Sequence, residues 1–120
     1  MKTILIVEDV ELNRDLLVQL LEDKYRLVLA EDGAAALERA AETKPDLILM
    51  DLSLPRMNGW EATRRLKADA QLAYIPVVAL SAHAMRGDEE RARASGCDGF
   101  LTKPIDEALL FQTLARYLGH

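Results

Sequence analysis

Five short apolar runs punctuate the chain: Ile4–Val7, Leu27–Ala30, Leu47–Met50, Val77–Leu80 and Phe100–Leu101. The first, third and fourth are almost unbroken by polar residues, the pattern of strands buried on both faces. The runs also end alike. Glu8–Asp9, Glu31–Asp32, Asp51, Ser81 and Lys103 follow them in order, so polar chemistry gathers at the C-terminal ends of greasy strands.

Between the runs the apolar residues fall at helical spacing. Leu12, Leu16, Leu17, Leu20 and Leu21 form one stripe, with Asp9 expected as its N-cap. Residues 34–41 are alanine-rich, a strong helix former, and Lys44-Pro45 stops that helix. Ala62, Leu66 and Trp60 mark a third helix after Gly59. Residues 85–95 predict a weak fourth helix that contains Gly87, is dense in charge and buries only small apolar groups. The fifth starts at Asp106, with Leu109, Leu110, Leu114, Tyr117 and Leu118 as its stripe. The order is βα five times, with no Ser/Gly/Pro-rich linker inside it. That alternation predicts an α/β fold with a parallel sheet, helices on both faces and right-handed crossovers. One domain over residues 1–120, with no second domain, is expected.

Composition narrows the function more than the fold. The chain is 50% hydrophobic and 29% charged, a balance that suits a packed core. Aromatic residues are few (Trp60, Tyr25, Tyr74, Tyr117, Phe100 and Phe111), so the core is expected to be mostly Leu, Val, Ile and Ala. The net charge of −5 opposes direct binding to nucleic acid or to an anionic membrane. Cys97 stands alone, which excludes an intrachain disulfide and a multi-cysteine zinc site. The N-terminal MKTILIVED has too short an apolar run for a signal peptide, which needs about 7–15 residues, or for a membrane span of about 20. A cytoplasmic location is expected.

In an open parallel sheet, ligands bind outside the carboxyl ends of the strands, where the strand order reverses. With the flavodoxin-like, doubly wound order 2-1-3-4-5, the first and third strands flank that point, and Glu8, Asp9 and Asp51 crowd one crevice. Two carboxylates ~4 Å apart repel by about 4 kcal/mol at an effective dielectric of ~20. A hard divalent cation relieves such a cluster, and Mg²⁺ prefers one or two carboxylates, waters and phosphate oxygens. Lys103 brings a further positive charge. Taken singly, each residue has a plainer reading. Asp9 caps a helix, Glu8 is solvated, Asp51 opens a turn, Lys103 is a surface lysine and Ser81 ends a strand. Those readings must then place all four residue types at separate strand ends by accident.

IVED at 6–9, LILMDLSLPRMNG at 47–59, ALSAHA at 79–84 and GFLTKPI at 99–105 closely resemble the receiver domains of two-component response regulators. The resemblance spans essentially the whole chain, and AHAMRGDEERARASGCDGFLTKPI is most similar to single-domain receivers of the cell-division kind. It implies a five-stranded sheet in the order 2-1-3-4-5 and no output domain. Asp51 is implied as phosphoacceptor, taking its phosphoryl group from a histidine kinase or a histidine phosphotransfer protein. Asp9 and Asp51 are implied as direct Mg²⁺ ligands, Glu8 as a ligand through water, and Ser53 through its backbone carbonyl.

The resemblance further implies that Lys103 grips a phosphoryl oxygen and that Ser81 bonds the phosphoryl group once present. Phe100 stands where an aromatic switch residue is found, often tyrosine; the ring fills space but lacks the hydroxyl. Ordinary core packing is its plainer role. Ser53 and His83 match the positions that tune the lifetime of the acyl phosphate, although an isolated exposed histidine is commonly inert. Pro55 and Gly59 shape the loop after Asp51, with Gly59 at a helix start or at positive φ. Pro104 is implied to follow a cis bond that directs Lys103 to the crevice. The fourth helix, fifth strand and fifth helix are implied as the face for a downstream protein. The first helix, with Leu12, Asn13 and Leu16, is implied to meet the histidine-bearing partner, though those leucines equally suit the core.

This reading describes a switch with intrinsic autodephosphorylation rather than a turnover enzyme. Other readings compete with it. An aspartyl phosphatase usually needs a second acid two residues on, where this chain has Ser53. There is no GxxxxGK or GxGxxG loop for a nucleotide, and Glu8–Asp9 would repel a flavin phosphate. A scaffold working without phosphate would be expected to lose one of the acids, the hydroxyl or the lysine, and none is lost. A receiver excised from a hybrid histidine kinase also remains compatible.

Overall fold

The apolar runs become five parallel strands: β1 (Thr3–Val7), β2 (Arg26–Ala30), β3 (Leu47–Asp51), β4 (Val77–Ser81) and β5 (Gly99–Thr102). A helix follows each: α1 (Glu11–Leu21), α2 (Gly33–Thr43), α3 (Gly59–Ala68), α4 (Asp88–Ala94) and α5 (Glu107–Leu118). These elements come from a computed structural model that describes residues 1–54, 57–82 and 87–119. The sheet order is β2-β1-β3-β4-β5, the doubly wound flavodoxin-like arrangement.

Strand position explains how unbroken each apolar run is. β3 and β4 are buried at every residue, and β1 at all but its first. These three occupy the centre, where helices cover both faces. β2 lies at one edge and leaves Arg26 and Leu29 exposed; β5, at the other edge, exposes Thr102.

Alternation along the strands splits the core in two. Ile4, Ile6, Leu47, Leu49, Val78, Leu80 and Leu101 pack on Leu17 and Leu21 of α1 and on Leu110 and Leu114 of α5. Leu5, Val7, Ile48, Met50, Val77 and Ala79 face the other way, onto Ala36 and Ala40 of α2, Ala62 and Leu66 of α3 and Ala92 of α4. Phe100 packs at the border of that second layer, half-buried. Cys97 is buried in the same layer, and burial raises its thiol pKa above the ordinary value.

Several expectations need correction. Asp9 does not cap α1. The N-cap is Val10, with extended φ and ψ and no side-chain cap bond, so the helix starts one residue too late for Asp9 to serve. Of the two roles left open for Leu12 and Leu16, core or partner-facing surface, their exposure fits the second, while Leu109 of the α5 stripe is exposed too. A helical repeat shows that leucines share a side of the helix, but not how wide a strip the sheet covers. The fourth helix does not contain Gly87, which stands before it as N-cap at φ 100°. Among its described side chains only Ala92 is buried. The other breaks follow local rules: Asp32, Asn58 and Asp106 each accept a backbone N–H at the starts of α2, α3 and α5. Among the described residues no helix is long and apolar enough to cross a membrane.

Candidate functional site

The ladder itself delivers the polar residues to one rim. Val7 of β1 is in register with Ala30 and Met50, and Glu8 continues the pairing by donating its N–H to Ala30 O at 3.0 Å. Asp51 closes β3 opposite Leu80 of β4. Lys103 follows β5 and donates its N–H to Ser81 O at 2.8 Å. Glu8, Asp51 and Lys103 all keep the alternation of the layer that faces α1 and α5.

Their side chains meet there. One carboxylate oxygen from each of Glu8, Asp9 and Asp51 lies within 4.8 Å of the others. Glu8 and Asp51 are buried, with 0% and 3% of their surface exposed, while Asp9 faces solvent. Lys103 Nζ approaches from β5, 2.5 Å from Glu8 Oε1 and 3.4 Å from Asp51 Oδ2. The solvated reading of Glu8 is therefore wrong: it is a buried acid ion-paired to a lysine. Loss of hydration pushes its carboxyl above the usual range; the Lys103 bond opposes that rise and the neighbouring Asp51 adds to it. Glu8 Oε2 also accepts the N–H of Val10 at 3.2 Å.

The loop after β3 is held by its own acid. Ser53, exposed, donates its N–H to Asp51 Oδ1 at 3.1 Å. Gly59 starts α3 without positive φ and presses on that strand end: a Cβ there would meet Asp51 O at 2.3 Å and Leu52 Cα at 2.8 Å. Ser81 is buried at the end of β4, in register with Thr102. The Lys103–Pro104 peptide is cis. Pro55 and His83 lie outside the described residues.

Two features of the structure escape a reading of the sequence. Arg14 of α1 donates from Nη1 to the Glu8 carbonyl at 3.1 Å and pairs with Glu31 at 3.6 Å. Trp60 of α3 carries the Arg91 guanidinium of α4 over its ring at 3.7 Å. Neither arginine belongs to a motif, and each partner is far away in the chain or on a different element.

The meeting of Glu8, Asp9 and Asp51 beside the Lys103 ammonium, at the switch point of a five-stranded parallel sheet, invites comparison with known proteins. The chain is 46% identical to the polar-differentiation response regulator DivK of Brucella anthropi, over 98% of this chain and 97% of that one. The Brucella ovis DivK matches to the same extent. Among solved structures it superposes on the receiver domain of the sensor histidine kinase PA1611 of Pseudomonas aeruginosa, at TM-score 0.91 and 36% identity, covering 99% and 98% of the two chains. That receiver holds a magnesium ion in its active-site cleft. The chemotaxis response regulator CheY4 of Vibrio cholerae superposes at TM-score 0.91 with 29% identity, over 98% and 99% of the chains. Residues 4–115 match the response regulator receiver domain, and with that the chain belongs to the receiver family of two-component signalling.

Proposed function

We propose that this receiver is a phosphoryl-accepting switch in which Asp51 is the acceptor. The observation that carries the reading is the meeting of Glu8, Asp9 and Asp51, with Lys103 Nζ 3.4 Å from Asp51 Oδ2. An Asp51 carboxylate oxygen attacks the phosphorus of a phosphohistidine on a histidine kinase or phosphotransfer protein. A new O–P bond forms, and the P–N bond electrons return to the imidazole of the donor. The product is an acyl phosphate. Transfer of this kind is loose and in line, so the protein acts mainly by positioning and by neutralising charge.

The donor set fits Mg²⁺: hard oxygen ligands, more negative than one lysine can balance, and partly open to water at Asp9. Asp9, Asp51 and the Ser53 carbonyl would hold it directly, and Glu8, already engaged with Lys103, through water. Bound there, Mg²⁺ supplies neutralising charge for the phosphoryl oxygens. Lys103 adds an ammonium that reaches both Glu8 and Asp51.

Phosphorylation takes Asp51 from one negative charge to about two and adds acceptor oxygens. Ser81, at the end of the adjacent strand, is proposed to donate to them, and Phe100 to shift with it. The α4–β5–α5 face then alters its fit to a downstream protein. That face is suited to contact: Phe100, Leu109 and Tyr117 line a cleft of about 210 Å³ across it. On the input side, Asn13 and Leu16 line a small pocket with Glu8 and Lys103, and with the exposed Val10 and Leu12 they suit docking of the histidine-bearing partner. Ser53 and His83 are proposed to govern how quickly water removes the phosphoryl group.

A second reading, a receiver module serving a histidine kinase, draws support from the 36% identity to the PA1611 receiver. Both readings share Asp51. Incubation with Mg²⁺ and acetyl phosphate, followed by intact mass measurement, should add one phosphoryl group to the wild type and none to Asp51→Asn. An equal gain in both would remove Asp51 from the role.

A further inference from the structure

The β1–α1 loop carries two of the three acids, yet its helix lacks the fastening that three others have. At the starts of α2, α3 and α5 an Asp or Asn side chain bonds the first turn. At α1 the N-cap is Val10, which has no side-chain acceptor. Asp9 is thereby left for the acidic cluster, and the Val10 N–H bond to Glu8 Oε2 at 3.2 Å needs a second tie to hold the backbone of the loop.

Arg14 provides it. Its guanidinium folds back from the first turn of α1, donating from Nη1 to the Glu8 carbonyl at 3.1 Å. The side chain is only 15% exposed, so this charge-assisted bond is largely shielded from water. Nη1 also lies 3.6 Å from Glu31 Oε1, in the loop after β2. One side chain thus ties α1 and the β2–α2 connection to the residue where β1 ends. The Glu8 N–H, bonded to Ala30 O, ties the same residue to the end of β2.

We infer that Arg14 is a positioning residue for the metal-binding acids, fixing the Glu8–Asp9 backbone so that both carboxylates converge with Asp51. This rests on the reading of those acids as a Mg²⁺ site. Residues that orient metal ligands typically cost about 10–100-fold in affinity when replaced. The sign is diagnostic. Removing a cation beside three carboxylates would by charge alone tighten Mg²⁺ binding, whereas loss of positioning loosens it.

Calorimetric titration of Mg²⁺ into wild type, Arg14→Met and Arg14→Lys tests the inference. Met keeps the buried aliphatic stem and loses the donor; Lys keeps a charged donor. Arg14→Met should bind about 10-fold more weakly, with Arg14→Lys between it and the wild type. If Arg14→Met does not fold, a weakened Arg14→Lys still supports the inference. Unchanged or tighter binding in a folded variant overturns it. Absence of saturable binding in the wild type would instead defeat the metal-site reading, and the role of Arg14 with it.

Discussion

Lys103 Nζ lies 2.5 Å from Glu8 Oε1, joining residues 95 positions apart, and this contact is closer than the one Lys103 makes to Asp51. The lysine therefore rests on the buried acid, within reach of the proposed acceptor. Glu8 thereby holds the ammonium inside the crevice, 3.4 Å from Asp51 Oδ2.

The burial of Glu8 gives stability a distinct pH dependence. Its carboxyl titrates near the ordinary 4.5 in the unfolded chain and higher in the folded protein. The folded state thus binds that proton more tightly. The stabilising contribution is complete below the unfolded value and is lost as pH rises through the folded one. In metal-free urea unfolding from acid to neutral pH, Glu8→Gln should gain on the wild type as pH climbs. A difference that is flat, or that moves the other way, contradicts this.

Mg²⁺ should stabilise the fold by mass action. At about 100 times its Kd, a ligand that binds only the native state contributes about 2.7 kcal/mol. Thermal unfolding should shift upward by several degrees with saturating Mg²⁺ and return with EDTA. Asp9→Asn should lose most of that shift while unfolding normally without metal. A full shift in the variant would show that Asp9 is not a ligand.

Gly59→Ala should destabilise, although alanine is the better helix former. The added Cβ would strike the backbone of Asp51 and Leu52, which cannot rotate away. Overpacking of this kind costs about 1–3 kcal/mol. Urea midpoints decide the sign, and acetyl phosphate labelling of Asp51 should slow in parallel. A more stable variant would mean that the strand end yields freely.

Arg91→Ala should loosen α4. The Arg91 guanidinium over Trp60 is worth about 0.5–1 kcal/mol if solvent-exposed. It matters because Ala92 is the single buried side chain described in that helix. Faster amide exchange across Asp88–Ala94 and altered emission from Trp60, the only tryptophan, are expected. Exchange unchanged in α4 would mean that the stack does not hold it.

Much of this molecule is legible along the chain because its signals are local. Leu47–Met50 reads as a doubly covered strand because every residue of it is apolar, and β3 is fully buried. Asp106 reads as the start of a helix because a short acid can bond the turn that follows it, and it does. Leu12 and Leu17 lie about 140° apart around a helix of about 3.6 residues per turn, at opposite edges of one broad leucine stripe, and the spacing does not say which edge meets the sheet. Packing of α1 leaves Leu12 exposed and Leu17 buried. Asp9 was misplaced for a similar reason. An acid before a helix suits a cap, and a one-residue shift in the start of α1 puts Val10 in that place instead.

The sequence alone determined the alternation of strands and helices, the central strands and the acids, hydroxyl and lysine that follow them, because these depend on residue type and spacing of a few positions. Tertiary structure decided which charges touch. It set Lys103 on Glu8 rather than first on Asp51, drew Arg14 under the acidic loop and laid Arg91 on Trp60. Those choices depend on the packing of distant elements, and hydration lost at a shared rim is a property of the assembled sheet, not of any one segment.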